Sequence, residues 1–273
     1  MHTTAQREKD LLRRLITKFA DGRAKQVRQS PVVVNALKPS APFFAIGDIH
    51  GHLDLLNSLL AKIDPDENQM LVFLGDYVDR GPQAAGTLAR LFDLAQHRPD
   101  DVVCLMGNHE RMMLDFIDDP LGRGAGWLRN GGLGTLADFG IHNISQNATP
   151  DEIIAACDAL EAAMPAGMRA WLQQLPLSWN SGNMWCVHAA MDPALPPGAQ
   201  KTKSMLWGHR DFLNTPRQDG ACIVHGHTIV KEPANQNSRI AIDTGAYETG
   251  RLTAASIAED HCVFICADAA PAQ

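Results

Sequence analysis

Three short apolar runs, each closing on Gly-Asp or Gly-Asn, constrain this chain more than anything else in it: FFAIGD at 43–48, MLVFLGD at 70–76 and VVCLMGN at 102–108. Helically spaced apolar residues follow the first two: Leu53, Leu55, Leu56, Leu59, Leu60 and Ile63, then Leu88, Leu91, Phe92 and Leu94. The pattern predicts strand, helix, strand, helix, strand. Right-handed βαβ units of this kind imply a largely parallel sheet covered on both faces.

With 273 residues, 45% of them hydrophobic and 20% charged, the chain has enough apolar material for a sizeable core, which excludes disorder as its dominant state. The formal charge of -7 disfavours a nucleic-acid reader built on phosphate neutralisation but permits a small phosphorylated ligand. No window reaches 18 consecutive apolar residues, and MHTTAQREKDLLRR lacks the apolar region of a secretory signal. A cytoplasmic protein with no membrane partner is expected. Cys104, Cys157, Cys186, Cys222, Cys262 and Cys266 lie in apolar stretches without a C-x-x-C pair and read as core thiols.

Residues 1–30 hold eight basic and three acidic residues and place Leu11, Leu12, Leu15, Ile16 and Phe19 on one helical face; Pro31, Pro39 and Pro42 then mark a linker. We therefore expect an amphipathic basic arm and linker over 1–42 and one α/β domain over 43–273. A Gly-rich then Ala-rich stretch at about 118–177 reads as a helical insert. MWCVHA, after an Asn180-Ser181-Gly182-Asn183 turn, ACIVHG, RIAID, LTAASIA and HCVFICA read as short strands of a second sheet.

Polar residues that a buried strand would not choose crowd the strand ends: Asp48 with His50, Asp76 with Asp79 and Arg80, Asn108 with His109 and Glu110, then His188 and His227. Singly, an Asp after a strand is a turn or helix cap, and a lone His a core or surface residue. In open α/β sheets, however, ligands sit just outside the carboxyl ends of strands. Five such ends offering oxygen and imidazole donors suit divalent cations of borderline hardness such as Mn²⁺, Fe²⁺ or Zn²⁺.

GDIHG (Gly47 to Gly51), GDYVDRG (Gly75 to Gly81), GNHE (Gly107 to Glu110), VHA (Val187 to Ala189) and HGHT (His225 to Thr228) together resemble the phosphoprotein phosphatase family of calcineurin-like metallophosphoesterases. NGG (Asn130 to Gly132) and IDTGA (Ile242 to Ala246) are similar to segments of its bacterial and phage members. The resemblance covers residues 43 to about 250 and implies a two-sheet α/β/β/α sandwich with two divalent metal ions, Mn²⁺ foremost and Fe or Zn as alternatives.

By that resemblance Asp48 and His50 bind the first metal, Asp76 bridges both, and Asn108, His188 and His227 bind the second, with Asn108 also facing substrate. Two metals roughly 3.5–4 Å apart can share a hydroxide and hold phosphoryl oxygens during in-line attack. His109 is then the general acid for the leaving alkoxide and Asp79 the carboxylate behind it. Arg80 offers a bidentate phosphate donor. Family members carry a second arginine two positions after a tryptophan; here Trp207 is followed by Gly208, His209 and Arg210, so Arg210 with a one-residue shift is expected there, with His209 as the alternative. Ile229 replaces the second His of a wider G-H-x-H motif, and His225 reads as a structural or supporting residue.

The resulting expectation is a metallophosphatase acting on phosphoserine or phosphothreonine, with phosphotyrosine as a further candidate, in a phosphoprotein or phosphopeptide. Asp79 and Glu110 favour this over a symmetrical dinucleoside tetraphosphatase, which reads V-A-R-G and G-N-H-D at these places. That hydrolase, a broad-specificity small-phosphate hydrolase, a nuclease and a non-catalytic scaffold for a phosphorylated partner stand as alternatives. No Cys lies in a C-x₅-R loop and no G-x-S-x-G occurs, so neither thiolate nor serine is supported as nucleophile.

Overall fold

The computed structural model describes residues 36–269. Of the basic arm and linker expected over 1–42, residues 1–35 lie outside the described residues. Strands β1 (Phe43–Ile46), β2 (Met70–Phe73) and β3 (Val102–Cys104) pair in parallel, with Phe43 opposite Met70 and Leu71 opposite Val102. Helices α1 (Leu53–Ile63) and α2 (Ala84–His97) make the crossovers predicted from the leucine spacing.

The strands alternate their apolar residues between two cores because successive side chains point to opposite faces. Phe44, Ile46, Leu71 and Phe73 face a core shared with Leu55, Leu56, Leu59, Leu88 and Leu91 of the helices. Phe43, Ala45, Val72 and Leu74 face a second core shared with Met184, Cys186, Cys222, Val224 and Ile240. That second core is the seam between two sheets. Cys104, Cys157, Cys186 and Cys222 are buried as expected, whereas Cys262 and Cys266 are only half-buried.

Between β3 and the second sheet run α3 (Asn108–Asp118), α4 (Pro120–Trp127), a kinked turn at Leu128–Gly132, α5 (Leu133–Asp138), α6 (Pro150–Ala163) and α7 (Met168–Gln173). Asp119 caps α4 by accepting the Gly122 N–H at 3.0 Å, and Thr149 with Glu152 forms a capping box on α6. The second sheet comprises β4 (Ser178–Ser181), β5 (Met184–Val187), β6 (Cys222–His225), β7 (Ala234–Gln236) and β8 (Arg239–Ala241) in the order β4-β5-β6-β8-β7. Its outer face packs Val187 and Ile223 on Met191, Met205 and Phe212, with α8 (Thr202–Trp207) on that side. The architecture is the expected α/β/β/α sandwich.

One assignment changes. LTAASIA and HCVFICA, expected in the second sheet, form β9 (Arg251–Ala258) and β10 (His261–Asp268), which follow the short α9 (Ala246–Thr249) and join the first sheet in the order β10-β9-β1-β2-β3. β9 runs antiparallel to β1, Phe43 opposite Ile257. It buries Leu252 and Ala254 in the helix-side core and Ala255 and Ile257 in the seam, so both its faces need covering, which a place beside β1 supplies.

Candidate active site

Both sheets present the carboxyl ends of parallel strands at one edge, and the site lies there. Asp48 and His50 follow β1, Asp76 follows β2, Asn108 and His109 open α3, His188 follows β5 and His227 follows β6. All are buried except His227, which is half-buried. The loops are knitted by backbone bonds: the amides of Ile49 and His50 donate to the Asp76 carbonyl, and that of Gly226 to the His188 carbonyl. The motif glycines serve this closeness; a Cβ on Gly75 would lie 2.7 Å from the Gly107 Cα. His50, Asp76, Asp79, Arg80 and His227 all have positive φ, five of the nine such non-glycine residues described. Strain of this kind persists where surrounding bonds over-determine the backbone.

Glu110 supplies many of those bonds. Fully buried, its Oε1 accepts the N–H of Tyr77 (2.7 Å) and Val78 (3.1 Å), and its Oε2 those of Asp76 (2.8 Å) and Gly107 (3.1 Å). Burial first, and then the Asp76 charge, raise its pKa, and the amide N–H groups of Val78 and Tyr77 oppose that rise. A Glu110→Gln side chain would turn an NH₂ group toward two amide N–H donors. We expect a stability loss of about 2–3 kcal/mol in urea unfolding; an unchanged midpoint would remove this role.

The donor set fits a cation pair. His50 Nδ1 lies 3.0 Å from the Val78 carbonyl and His188 Nδ1 3.0 Å from that of Leu74, and since a carbonyl only accepts, both nitrogens carry the proton. Each Nε2 therefore offers a lone pair to the site. That of His188 faces Asn108 Oδ1 at 2.9 Å, His227 Nδ1 at 3.1 Å and Asp76 Oδ1 at 3.4 Å; that of His50 lies 3.6 Å from Asp76 Oδ2. Asp76 belongs to both compact groups, with His50 and His109 on one side and His188 and His227 on the other. Asp48 is in neither, and both its oxygens accept the His227 amide.

Electrostatics point the same way. Burial lowers the pKa of His50 and His227 and takes that of His188 down to about 4, the neutral form a metal requires. Burial, then the Asp243 and Asp76 charges, push Asp48 well above the carboxylate range, while burial raises Asp243 to about 6. Burial would raise Asp76 too, but the adjacent His188, His109 and His50 hold it below its usual value. Gathered carboxylates and imidazole lone pairs call for positive charge between them.

His109 is different. Burial disfavours its charged form, yet Asp76 and the hydrogen bond and charge of Asp79 outweigh this and raise its pKa. Its Nδ1 lies 2.6 Å from Asp79 Oδ2, leaving Nε2, 3.9 Å from Asp76 Oδ2, toward the cleft. Arg80 is exposed on the cleft wall with its guanidinium 4.6 Å from the centre of the Tyr247 ring.

The second arginine is not brought in. The Arg210 side chain is 90% exposed beside Asp211, and His209 Nε2 lies 3.6 Å from Asp192; of this segment only Trp207 lines the cleft. We expect Arg80→Ala to lower kcat/KM by about 10- to 100-fold, the worth of a charge-assisted phosphate contact, and Arg210→Ala by less than about twofold. Equal losses in a steady-state assay would restore Arg210 to the site. His225 is buried behind the site against Phe212. Asp243, which also lines the cleft, lies within the IDTGA segment; Tyr247, another lining residue, and Trp127 and Thr135, which reach Asp79, had no signal of their own.

Residues 41–232 match the family model of the calcineurin-like phosphoesterases. The chain belongs to that family, whose members use divalent metals, and it is a metallophosphatase. It is 37% identical to serine/threonine-protein phosphatase 1 of Salmonella typhimurium over 223 residues, 78% of this chain and 91% of that protein. It is 27% identical to the asymmetrical bis(5'-nucleosyl)-tetraphosphatase PrpE of Bacillus thuringiensis over 81% of this chain and 92% of the relative. A putative serine/threonine-protein phosphatase of Caenorhabditis elegans matches at 43% over 83 residues, so the chain spans only 23% of that relative. The fold matches the crystal structure of a putative diadenosine tetraphosphatase with TM-score 0.58, at 19% identity over 83% of this chain and 94% of that one. Among the described residues no helix is long and apolar enough to cross a membrane.

Proposed function

We propose that this protein hydrolyses phosphate monoesters of serine and threonine in phosphoproteins, with two divalent ions, Mn²⁺ foremost, held by Asp48, His50, Asp76, Asn108, His188 and His227. When bound, such ions supply charge against the phosphoryl oxygens and a water of lowered pKa as nucleophile. Arg80 and Asn108 orient the phosphate. Water adds to phosphorus as the P–O bond to the alkyl group breaks, and the proton on His109 Nε2 passes to the leaving oxygen, giving phosphate and alcohol. Asp79 holds the imidazole for that transfer.

The observation that carries the substrate class is the 2.6 Å contact between His109 and Asp79. A serine or threonine alkoxide is a poor leaving group and needs a positioned acid, whereas the nucleotide released from a dinucleoside polyphosphate is stable as an anion. The Salmonella typhimurium relative, with 37% identity across nearly its whole length, supports the same choice. The test is kcat/KM with Mn²⁺ for a phosphoserine peptide against diadenosine tetraphosphate, each with a chelator control. Faster release from the peptide is expected; faster cleavage of the dinucleotide would replace this reading.

A further inference from the structure

Asp79 is held by far more than its partner imidazole. Besides His109 Nδ1, its carboxylate accepts the Trp127 indole N–H, 2.9 Å from Oδ2 and 3.1 Å from Oδ1, and the Thr135 hydroxyl, 2.6 Å from Oδ1. The same hydroxyl oxygen accepts the Asp79 amide N–H at 3.0 Å. Asp79, Trp127 and Thr135 are all fully buried. Trp127 ends α4 and Thr135 lies in α5, far along the chain from Asp79. The kinked turn between those helices is laid directly on the carboxylate. Gly131, at φ +118°, comes so close that a Cβ there would lie 2.8 Å from the Asp79 Cβ.

A carboxylate has two oxygens and about four lone-pair directions, and it turns easily about its last bond. Here the indole N–H bridges both oxygens and fixes their plane, while the hydroxyl takes a direction on Oδ1. What remains on Oδ2 points at His109. Thr135 also pins the amide of a residue whose φ is +68°. A merely buried carboxylate would need donors of any origin; these come from one helical segment and leave one oriented acceptor for the imidazole.

We propose that Trp127 and Thr135 are positioning residues for the reaction, locking the Asp79 carboxylate and, through it, the tautomer and aim of the His109 ring. The inference rests on the reading of His109 as the acid. It makes the α4–α5 segment a working part of proton delivery rather than a cover over the sheet.

The test uses the full chain carrying Thr135→Val, which keeps shape and loses the hydroxyl, Trp127→Phe, which loses the indole N–H, and Thr135→Ser, which keeps the hydroxyl. For a phosphoserine peptide, Thr135→Val and Trp127→Phe are expected to lower kcat by about tenfold with KM within about twofold, and to lower kcat for p-nitrophenyl phosphate by less than about threefold. Thr135→Ser restores the peptide rate. A second readout needs no turnover: in ¹⁵N-histidine-labelled, metal-free protein, the downfield Nδ1–H resonance of His109, assigned by its loss in His109→Asn, shifts upfield in Thr135→Val and Trp127→Phe and returns in Thr135→Ser. Equal losses on both substrates, or an unmoved resonance, would overturn the proposal. If His109→Asn itself shows no leaving-group preference, the acid reading falls separately, while the resonance still reports whether these two residues order the pair.

Discussion

Replacing His109 by Asn is expected to lower kcat for a phosphoserine peptide by about 10²–10⁴-fold, the usual worth of a positioned acid, and far less for p-nitrophenyl phosphate. The reason is the leaving group. Serine departs as an alkoxide that must be protonated as the bond breaks, while p-nitrophenolate carries its own charge. The His109 ring is set for this by its contacts: Nδ1 is committed to Asp79 at 2.6 Å, and Asp79 and Asp76 raise its pKa against the effect of burial. The asparagine variant keeps the backbone N–H that donates to Asp76 Oδ1 at 3.0 Å, so Asp76 stays in place. Parallel single-turnover measurements on the two substrates decide it; equal losses would remove the acid assignment.

Asp76→Asn is expected to reduce bound metal and rate together. Asp76 is the one carboxylate common to both donor groups, with His50 Nε2 3.6 Å from Oδ2 and His188 Nε2 3.4 Å from Oδ1. An amide offers one weak oxygen donor in place of two charged ones, so under the proposed bridging role both ions would lose a ligand. We expect activity to fall by about 10³-fold or more and the Mn²⁺ content to drop below two per chain. Metal analysis after equilibrium dialysis checks the second point, and an unchanged stoichiometry would defeat the bridging role. The metal-free variant should remain folded, because removing Asp76 also removes one of the charges that push up buried Asp48 and Glu110.

The first three strands and their two helices were legible because apolar spacing of two and of 3.6 residues is a local property, visible wherever both faces or one stripe must be buried. The ligand candidates were legible for a related reason: Asp48, Asp76, Asn108, His188 and His227 are polar residues at the ends of apolar strands, a cost a stable core would not carry without a use. Strand order was not legible. LTAASIA has the same local pattern as ACIVHG, and only the need to cover both faces beside β1 sends it to the first sheet. Arg210 shows the limit at single-residue scale, since a side chain one position away from the expected one turns to solvent beside Asp211.

Glu110 and Asp79 mark the boundary between the two kinds of knowledge. Their chemical types and their places after β2 and at the start of α3 were written in the motifs. What each does depended on groups brought from elsewhere: four amide N–H donors converge on Glu110, and Trp127 and Thr135 arrive from α4 and α5 to hold Asp79. By itself the sequence determined the strand-and-helix alternation, the chemistry available at the strand ends and the family to which the chain belongs. Only the tertiary structure decided which sheet the last strands join, which arginine faces the cleft and which distant residues hold the Asp79 carboxylate. Periodicity and residue type are local, whereas orientation comes from contacts between segments far apart in the chain.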